Sequence, residues 1–349
     1  MLISSPHTRN PQPVNFVMRQ VVLATIPGAL VLSYFFGIGI ILNLLTCTLV
    51  AIVSESVILK LRQRDWRQGL QDYSAVVTAI LLGLALPPLA PWWIATLGTL
   101  FAIVFAKQLY GGLGYNPFNP AMAGYVLLLI SFPLSMTTWL PPQSLMQHPL
   151  PLSDAIYLFF TGLDSHGNGL NYYLSNVDGF AMATPLDELK TGLGMGYRLP
   201  EIVKAPIFNG LANVGWQWVN LAFLLGGIYL LVRRVIQWHI PVAMIASMTL
   251  VAAVLYGFDS DQNIPPVVHL LSGATMLGAF FIATDPVSAA TTVKGRLIFG
   301  AGIGLIVVII RNYGGYPDAV AFAVLLLNMT APLIDHYTRP AVYGTGEQA

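Results

Sequence analysis

Ten apolar runs of membrane-spanning or nearly spanning length constrain the fold of this chain more than any other feature. They fall near residues 21–36, 38–59, 73–89, 91–106, 120–139, 210–231, 240–257, 266–283, 297–311 and 317–334. A helix needs about 20 apolar residues to cross the roughly 30 Å of hydrocarbon in a bilayer. We therefore predict an all-α polytopic membrane protein with about ten transmembrane helices, several of them short.

The composition agrees with a chain embedded in a lipid bilayer. Of the 349 residues, 56% are hydrophobic and 9% are charged, whereas soluble domains carry about a quarter charged residues. The net charge of +1 gives no reason to expect a nucleic acid partner. The single cysteine, Cys47, excludes an internal disulfide and any cysteine cluster for iron–sulfur or zinc within this chain. Residues 1–20 are polar and mixed, so we expect no cleaved signal peptide.

The basic residues predict the orientation. If the N-terminus is cytoplasmic, 12 of the 16 Lys and Arg residues fall on the inner side. The 4 on the outer side are Lys190, Arg198, Lys204 and Arg311. Because cytoplasmic segments are enriched in basic residues, we predict that both termini are cytoplasmic and that the long segment 140–208 lies outside.

The position of that long segment suggests the domain organisation. Five apolar runs precede it and five follow it, which predicts two five-helix halves of inverted orientation. The predicted divisions are 1–20 as an N-terminal segment, 21–139 as the first half, 140–208 as the loop, 209–335 as the second half and 336–349 as a tail. Gly-Gly, Tyr and Pro recur after Gly111 and after Gly314, which is a weak internal repeat that chance could also produce.

The long loop carries the stretch Asp178-Gly-Phe-Ala-Met-Ala-Thr184-Pro-Leu. Pro185 favours an extended Thr184, the small Ala183 leaves space, and Asp178 offers an oxygen ligand for a hard cation such as Mg²⁺. The stretch resembles the Asp-x-x-[Ser/Thr]-Gly-Ala-Thr motif of membrane flavoproteins that carry FMN on a threonine through a phosphoester. Ala181 and Met182 depart from that motif, and an ordinary surface loop is the alternative.

A second stretch, His269-Leu-Leu-Ser272-Gly273-Ala274-Thr275, fits the last four letters of the motif better. It lies within a predicted span, however, where a modifying enzyme would not easily reach a threonine. We therefore predict that Thr184 is the attachment residue. For Ser272, Gly273 and Thr275 we predict close helix packing or a wall of a cofactor pocket.

Two further stretches interrupt apolar runs with Asn, Asp and Pro. They are Asn116-Pro-Phe-Asn119-Pro and Thr284-Asp285-Pro-Val-Ser288. Irregular backbone at membrane depth needs protein or a cavity to satisfy its polar groups, so these residues are predicted to bind the edge of a flavin or quinone. Helix capping by Asn119 and Asp285, each followed by proline, is an equally good interpretation.

Few ionisable residues lie within the predicted spans. Glu55 and Asp285 near inner ends, and His269 near an outer end, are candidates for an ion path. The alternative is that their side chains reach out to the interface.

Blocks of sequence along the whole chain support one resemblance. They are Lys107-Gln-Leu-Tyr-Gly-Gly-Leu-Gly, Asn116-Pro-Phe-Asn-Pro-Ala-Met, Ala183-Thr-Pro-Leu-Asp187, Gly215-Trp-Gln-Trp-Val-Asn220, Leu271-Ser-Gly-Ala-Thr-Met-Leu-Gly-Ala-Phe-Phe281, Thr284-Asp-Pro-Val and Gly314-Gly-Tyr-Pro-Asp-Ala-Val-Ala-Phe-Ala. The chain resembles the D subunits of the Rnf (Rsx) electron transport complex. It is also similar to the B subunits of the sodium-pumping NADH:quinone reductase, which usually have a longer N-terminal extension.

The resemblance implies a flavoprotein of the bacterial inner membrane, with FMN attached to Thr184 on the periplasmic side by a separate flavin transferase. It also implies a second, non-covalent flavin such as riboflavin. Electrons would pass between NADH and ferredoxin, or another low-potential acceptor, and drive Na⁺ or H⁺ translocation. The chain has no Rossmann signature and no cysteine cluster, so the other subunits, A, B, C, E and G, must supply those parts.

From the residues alone, two other functions stay open. Inverted halves with broken helices are also typical of a channel or transporter for a small solute. A purely structural membrane anchor for partner subunits is the second alternative.

Overall fold

The computed structural model describes residues 13–146, 150–174, 184–208 and 213–339. Within these ranges helices are the regular elements, and the only β interaction is an isolated bridge between Leu163 and Gly169. The predicted all-α class is therefore confirmed. Asp178 and Ala183 lie outside the described residues, so the roles predicted for them remain predictions.

The first half contains α1 to α7 in chain order. They are α1 (Val14–Phe36), α2 (Gly39–Leu61), α3 (Trp66–Leu70), α4 (Ser74–Ala85), α5 (Trp92–Leu100), which continues as a π-helix (Phe101–Gln108), α6 (Pro120–Ser131) and α7 (Pro133–Thr137). A 3₁₀ turn, Gln143–Leu145, follows.

The long loop and the second half contain α8 to α17. The loop forms α8 (Leu152–Thr161), α9 (Leu170–Leu174), α10 (Pro185–Gly194), α11 (Leu199–Ile202) and a 3₁₀ turn (Pro206–Phe208). The second half forms α12 (Trp216–Val232), α13 (His239–Phe258), α14 (Pro266–Leu271), α15 (Thr275–Leu277), which continues as a π-helix (Gly278–Ile282), α16 (Val293–Tyr313) and α17 (Val320–Thr338).

The helices match the ten apolar runs, but half of them are short or broken. Five, α1, α2, α13, α16 and α17, are long and apolar enough to cross a membrane. The run predicted at 266–283 is divided between α14 and α15 by Ser272, Gly273 and Ala274. The outermost boundaries also differ from those predicted. Helix α1 begins at Val14, inside the predicted N-terminal segment, because hydropathy does not register the polar first turns of a helix. Likewise α17 continues to Thr338.

The contacts between helices form two corresponding sets. In the first half α2 packs against α4 and α5, and in the second half α13 packs correspondingly against α14 and α16. The first helices of the two halves, α1 and α12, contact each other, as do the last, α6 and α17. Each half therefore repeats one arrangement, and the halves meet through equivalent helices.

Small residues allow the close contact between α1 and α12. A Cβ atom at Gly226 would lie 2.1 Å from the carbonyl oxygen of Ala24, and one at Gly28 would lie 2.2 Å from the ring of Phe223. Both distances are far below van der Waals contact. Glycine at these positions lets the two backbones approach, as is typical of membrane helix pairs.

The long loop consists of two small helical modules rather than a single lobe. The first loop module, residues 150–174, packs its Leu158 and Tyr173 against Leu89 of the first half. The second loop module, residues 184–208, packs Leu186, Leu189, Leu199 and Ile202 against Ile264 and Val268 of the second half. Each module is thus anchored to its own half, and Thr184 is the first residue of the second module.

A carboxylate organises the first loop module. Asp164 accepts hydrogen bonds from the backbone N–H groups of His166 (2.8 Å) and Asn168 (2.7 Å) and from the hydroxyl of Tyr173 (3.0 Å). Burial of the carboxyl raises the pKa of Asp164, but these hydrogen bonds outweigh burial and lower the pKa to about 2. The turn therefore requires the charged form of Asp164.

Candidate functional site

A large cavity lies between the two halves and reaches Thr184. The space inside it, together with the part that is open to solvent, is about 970 Å³. Helix α12 supplies Trp216 and Phe223, and Tyr316 comes from the link between α16 and α17. We call this space the Thr184 cavity.

Thr184 occupies the N-cap of α10, at the edge of this cavity. Its φ of −122° and ψ of 144° confirm the extended conformation predicted from Pro185. The hydroxyl accepts a hydrogen bond from the backbone N–H of Asp187 at 3.2 Å. The free N–H groups and the dipole of a helix N-terminus favour negative charge, so the Thr184 hydroxyl lies where an anionic group would be stabilised.

Lys190 fixes α10 to the second half. Its ammonium donates to the carbonyl oxygens of Ile310 (3.2 Å), Arg311 (3.4 Å) and Tyr316 (2.9 Å). The carbonyl of Ile310 also accepts from the backbone N–H of Gly314 at 2.8 Å, and Lys190 adds a donor to these last carbonyls of α16. Burial lowers the pKa of Lys190, while the nearby Asp187 raises it. Burial likewise raises the pKa of Asp187, and Lys190 lowers it. The pair is thus partly removed from water beside Thr184.

Aromatic side chains form one wall of the cavity. The Trp216 ring lies 5.1 Å from that of Trp139 and 4.9 Å from that of Phe36, measured between centroids. The buried indole Nε1–H of Trp216 has no hydrogen-bond partner within the protein. A buried donor without a partner is uncommon, and here it belongs to a residue of the cavity wall.

The Ser272–Thr275 stretch contributes unequally to this wall. Gly273 lines the cavity with a φ of +58°, and a Cβ there would lie 2.5 Å from Asp318 Oδ2. Ser272 and Thr275 are fully buried outside the lining. The Thr275 hydroxyl donates to the carbonyl of His269 at 2.7 Å. Gly273 therefore lies in the wall of this cavity, whereas Thr275 is inaccessible. The contact with a cofactor predicted for this stretch remains a prediction.

A buried ion pair that sequence reasoning missed lies behind Gly273. Arg311 Nη2 lies 2.9 Å from Asp318 Oδ1, and the Arg311 side chain is completely buried. Asp318 Oδ2 also accepts from the backbone N–H of Ala274 at 2.8 Å. Arg311 is therefore not the outer loop charge that the sequence predicts. An arginine directly after an apolar run was the signal that could have found the pair.

A second cavity, of about 770 Å³, lies at the opposite ends of the repeated helices. We call it the Asn116 cavity. Asn116 donates to the carbonyl of Phe118 at 2.9 Å, while its buried Oδ1 has no partner within the protein. Asn119 accepts from the N–H of Met122 and so caps α6, and it donates to the carbonyl of Ile282 at 3.2 Å. The capping predicted for Asn119 is thus confirmed, and the residue also lines this cavity. Its predicted contact with a flavin or quinone remains a prediction.

Asp285 also lines the Asn116 cavity, but the helix cap predicted for it is wrong. Its Oδ2 accepts from the Ser288 hydroxyl at 2.6 Å within a turn. Helix α16 begins only at Val293, where the Thr292 hydroxyl accepts from Gly295 N–H at 2.9 Å. The local hydrogen bond to Ser288 stabilises the turn in competition with a helix.

The side chains of Glu55 and His269 are buried in the protein. The alternative that they reach out to the membrane interface is therefore wrong for these two residues. His269 is fully buried. Glu55 is 2% exposed and pairs with Lys107 at 2.7 Å, and the Lys107 ammonium donates also to the Ser74 hydroxyl at 2.6 Å. Gln108 donates to the same carboxylate at 2.7 Å. The sequence predicts Lys107 as an inner loop charge, but its side chain is buried and lines the Asn116 cavity.

The two cavities are built from equivalent parts of the repeat. Each is lined by the first and third helices of one half and by the link before its fifth helix. Lys107 precedes Gly111 by four positions and Arg311 precedes Gly314 by three. The π-helix Phe101–Gln108, with its wider turns, accommodates the extra residue. Both buried cations thus come from the ends of the fourth helices.

The described ranges contain no cluster of three or more His, Cys, Asp or Glu side chains that could hold a metal ion. The cation ligand predicted at Asp178 lies outside those ranges.

Comparison with known proteins gives matches over nearly the full length. Residues 1–344 match the model of the NQR2, RnfD, RnfE family. Three relatives are named as D subunits of ion-translocating oxidoreductase complexes. The one from Aliivibrio salmonicida is 55% identical over 98% of both chains. Those from Vibrio cholerae and Pectobacterium carotovorum are each 54% identical, over 98% of this chain and 99% and 98% of their own.

Proposed function

Because the chain belongs to the NQR2, RnfD, RnfE family, we propose that it is the flavin-bearing membrane component, the D subunit, of an ion-translocating oxidoreductase complex. Relatives at 52–55% identity are named as the D subunit of an ion-translocating oxidoreductase complex. The chain is accordingly a multi-pass membrane subunit of an oxidoreductase and translocase, and the other subunits of the complex are its partners. The finer assignments rest on the two cavities.

The position of Thr184 is the observation that carries the flavin proposal. Its hydroxyl lies at the edge of a 970 Å³ cavity and at the N-terminus of α10. FMN joined to this hydroxyl through a phosphoester would place its phosphate where helix N–H groups and the helix dipole stabilise an anion. Asp178 and Ala183 complete the proposed attachment motif.

The lining of the cavity beside Thr184 supports the proposal of a planar cofactor. Trp216 lines it and has an indole N–H without a partner within the protein, and the neighbouring aromatic side chains provide contact surface for a planar ring. FMN bound here would supply electron transfer, while the protein excludes water, orients the ring and sets its potential. Thr184 is an anchor and transfers no proton.

The Asn116 cavity suits a second, non-covalent flavin such as riboflavin. Asn116, whose buried Oδ1 has no partner within the protein, lines this cavity together with Lys107, Asn119 and Asp285. The hydroxyls in its lining, those of Ser74, Thr78 and Thr284, each donate a hydrogen bond within the protein, and a cofactor here would be held by hydrogen bonds and packing.

We further propose that the complex passes electrons between NADH and ferredoxin, or another low-potential acceptor, and couples them to Na⁺ or H⁺ movement. The partners would be subunits A, B, C, E and G, with a flavin transferase for maturation. The bias of basic residues supports cytoplasmic termini and a periplasmic loop 140–208 in the bacterial inner membrane. That bias keeps its direction when the buried Lys107 and Arg311 are left out.

In-gel fluorescence tests the covalent flavin. Wild-type protein from its native host should give a fluorescent band at 37.8 kDa under denaturing conditions, and Thr184→Val should abolish it. Thr275→Val should keep the band, because the Thr275 hydroxyl is buried and hydrogen-bonded. Mass spectrometry of the peptide containing Thr184 should show the added mass of flavin mononucleotide. A dark wild-type band would instead favour the transporter or anchor alternatives.

A further inference from the structure

The Thr184 cavity has a single charged group in its described wall. Among the lining side chains, Asp318 is the one that carries a full charge at neutral pH. Its side chain is 25% exposed, whereas that of Arg311, which pairs with it at 2.9 Å, has no exposed surface. The carboxylate thus faces the cavity, and the guanidinium lies behind it.

Arg311 is held in place by neutral acceptors as well as by Asp318. Its Nη1 donates to the carbonyl of His269 at 2.7 Å, and its Nη2 donates to the Thr275 hydroxyl at 3.0 Å. The positive charge is therefore fixed at a defined distance behind the wall and cannot swing into the cavity. A ligand in the Thr184 cavity would therefore lie closer to the carboxylate of Asp318 than to the guanidinium of Arg311.

We propose, resting on the flavin assignment of the proposed function, that this ion pair sets the reduction potential of the cofactor in the Thr184 cavity. Asp318 lowers the potential and Arg311 raises it. An electron arriving from a reduced partner protein adds negative charge to the ring unless a proton follows. A nearby carboxylate opposes that added charge and a nearby guanidinium favours it, and both effects are strong where water is excluded. Because Asp318 lines the cavity and Arg311 lies behind it, the effect of Asp318 on the reduction potential is the larger.

The Asn116 cavity carries the equivalent pair with the opposite sign facing inward. Lys107 lines that cavity, while its partner Glu55 does not. Asp285 lines it too, so its wall carries both signs. The described charged side chains are thus only anionic in the wall of the Thr184 cavity and of both signs in the wall of the Asn116 cavity. A flavin beside Asp318 would therefore be reduced less readily than a flavin beside Lys107.

Asp318 also has a structural role that the test must separate from the electrostatic one. Its Oδ1 accepts from the backbone N–H of Ala319 at 2.7 Å, just before α17, and its Oδ2 holds Ala274 in the helix break. If the pair had only a structural role, replacing Asp318 and replacing Arg311 would change the reduction potential in the same direction. Charge effects on the potential have opposite signs for Asp318 and Arg311.

The experiment is a redox titration of full-length protein co-expressed with the flavin transferase. The absorbance of the Thr184→Val protein is subtracted to isolate the covalent flavin. With Asp318→Asn, the ratio of reduced to oxidised flavin at a fixed potential should rise at least about tenfold, and with Arg311→Gln it should fall. Asp259→Asn, which removes an exposed outer carboxylate, is the control and should leave the ratio unchanged.

Two further variants keep the proposal falsifiable if a single substitution prevents folding. The double variant Asp318→Asn/Arg311→Gln leaves no unpaired buried charge, and its ratio should lie between those of the single variants. Asp318→Glu keeps the charge and should stay within a few-fold of wild type. Shifts of the same sign in both single variants, no shift in Asp318→Asn, or a large shift in Asp318→Glu would overturn the proposal. A wild-type protein without flavin on Thr184 would instead overturn the proposed function.

Discussion

At the scale of single residues, Lys190 is the side chain on which the placement of Thr184 most directly depends. Its three hydrogen bonds join α10 to the end of α16 and to Tyr316. Lys190→Met should remove these three hydrogen bonds and leave the carbonyls of Arg311 and Tyr316 without this donor, at a cost of about 1–3 kcal/mol in the docking of the second loop module. Hydrogen exchange of residues 185–202 should accelerate accordingly. Lys204→Met, at an exposed lysine of the same module, should change nothing.

The Asp164 carboxylate predicts an acid-sensitive module. Its pKa of about 2 lies below the ordinary value of 3.8, so its contribution to stability is complete above about pH 4 and is lost as the pH falls through about 2. Pepsin should therefore begin to cleave within residues 150–174 over that interval. In Asp164→Asn the cleavage should begin already at higher pH, and Asp261→Asn should behave like wild type. Cleavage independent of pH in the wild type would contradict this account.

Local chemistry and distant partners explain which residues could be predicted from the sequence. Pro185 acts on its neighbour, so the extended Thr184 could be predicted. The burial of Lys107 depends on Glu55, 52 positions away, and that of Arg311 depends on a break in another helix. Because these partners are distant in sequence, no local pattern contains them. Both cations were therefore predicted to lie in loops. Trp216 lies in one of the blocks that carry the family resemblance. That its indole N–H has no hydrogen-bond partner could be recognised only from the structure.

At the scale of elements, glycine sets the distance between α1 and α12. Gly226→Ala would bring a methyl group within 2.1 Å of the Ala24 carbonyl and should destabilise the protein by about 1–3 kcal/mol through overpacking. Gly257→Ala is the matched control, because nothing lies within 4 Å of a Cβ at that helical position. Thermal unfolding in detergent should show a lower midpoint for the first variant and an equal or higher midpoint for the second. Equal midpoints in both variants would mean that the helices can separate without cost.

Hydropathy predicted where helices exist better than where they end. The ten runs correspond to the helices of the two halves, since burial in lipid or in protein demands apolar residues in both cases. The break at Ser272–Ala274 escaped the pattern because its polar backbone is satisfied by Asn220, which donates to the Gly273 carbonyl at 3.0 Å, and by Arg311. The organisation of the long loop as two docked modules was equally hidden, because each module depends on a hydrophobic cluster completed by a distant segment.

At the scale of the whole molecule, the proposed orientation can be tested with a single reactive thiol. The chain has one cysteine, the buried Cys47, so Cys47→Ala provides a background without thiols. On that background Ser260→Cys, at an exposed site after α13, should react with a membrane-impermeant maleimide added to spheroplasts. Gln68→Cys, exposed between α2 and α4, should react only after the membrane is permeabilised. The reverse pattern would place Thr184 in the cytoplasm and remove the proposed periplasmic attachment.

The two loop modules have a mechanical consequence. One is seated on the first half and the other on the second, and the chain between residues 174 and 184 joins them. Any rotation of one half against the other would lengthen or shorten the span that this connection must cover. Thr184 belongs to the module that is seated on the second half, so a group attached to it would move with that half.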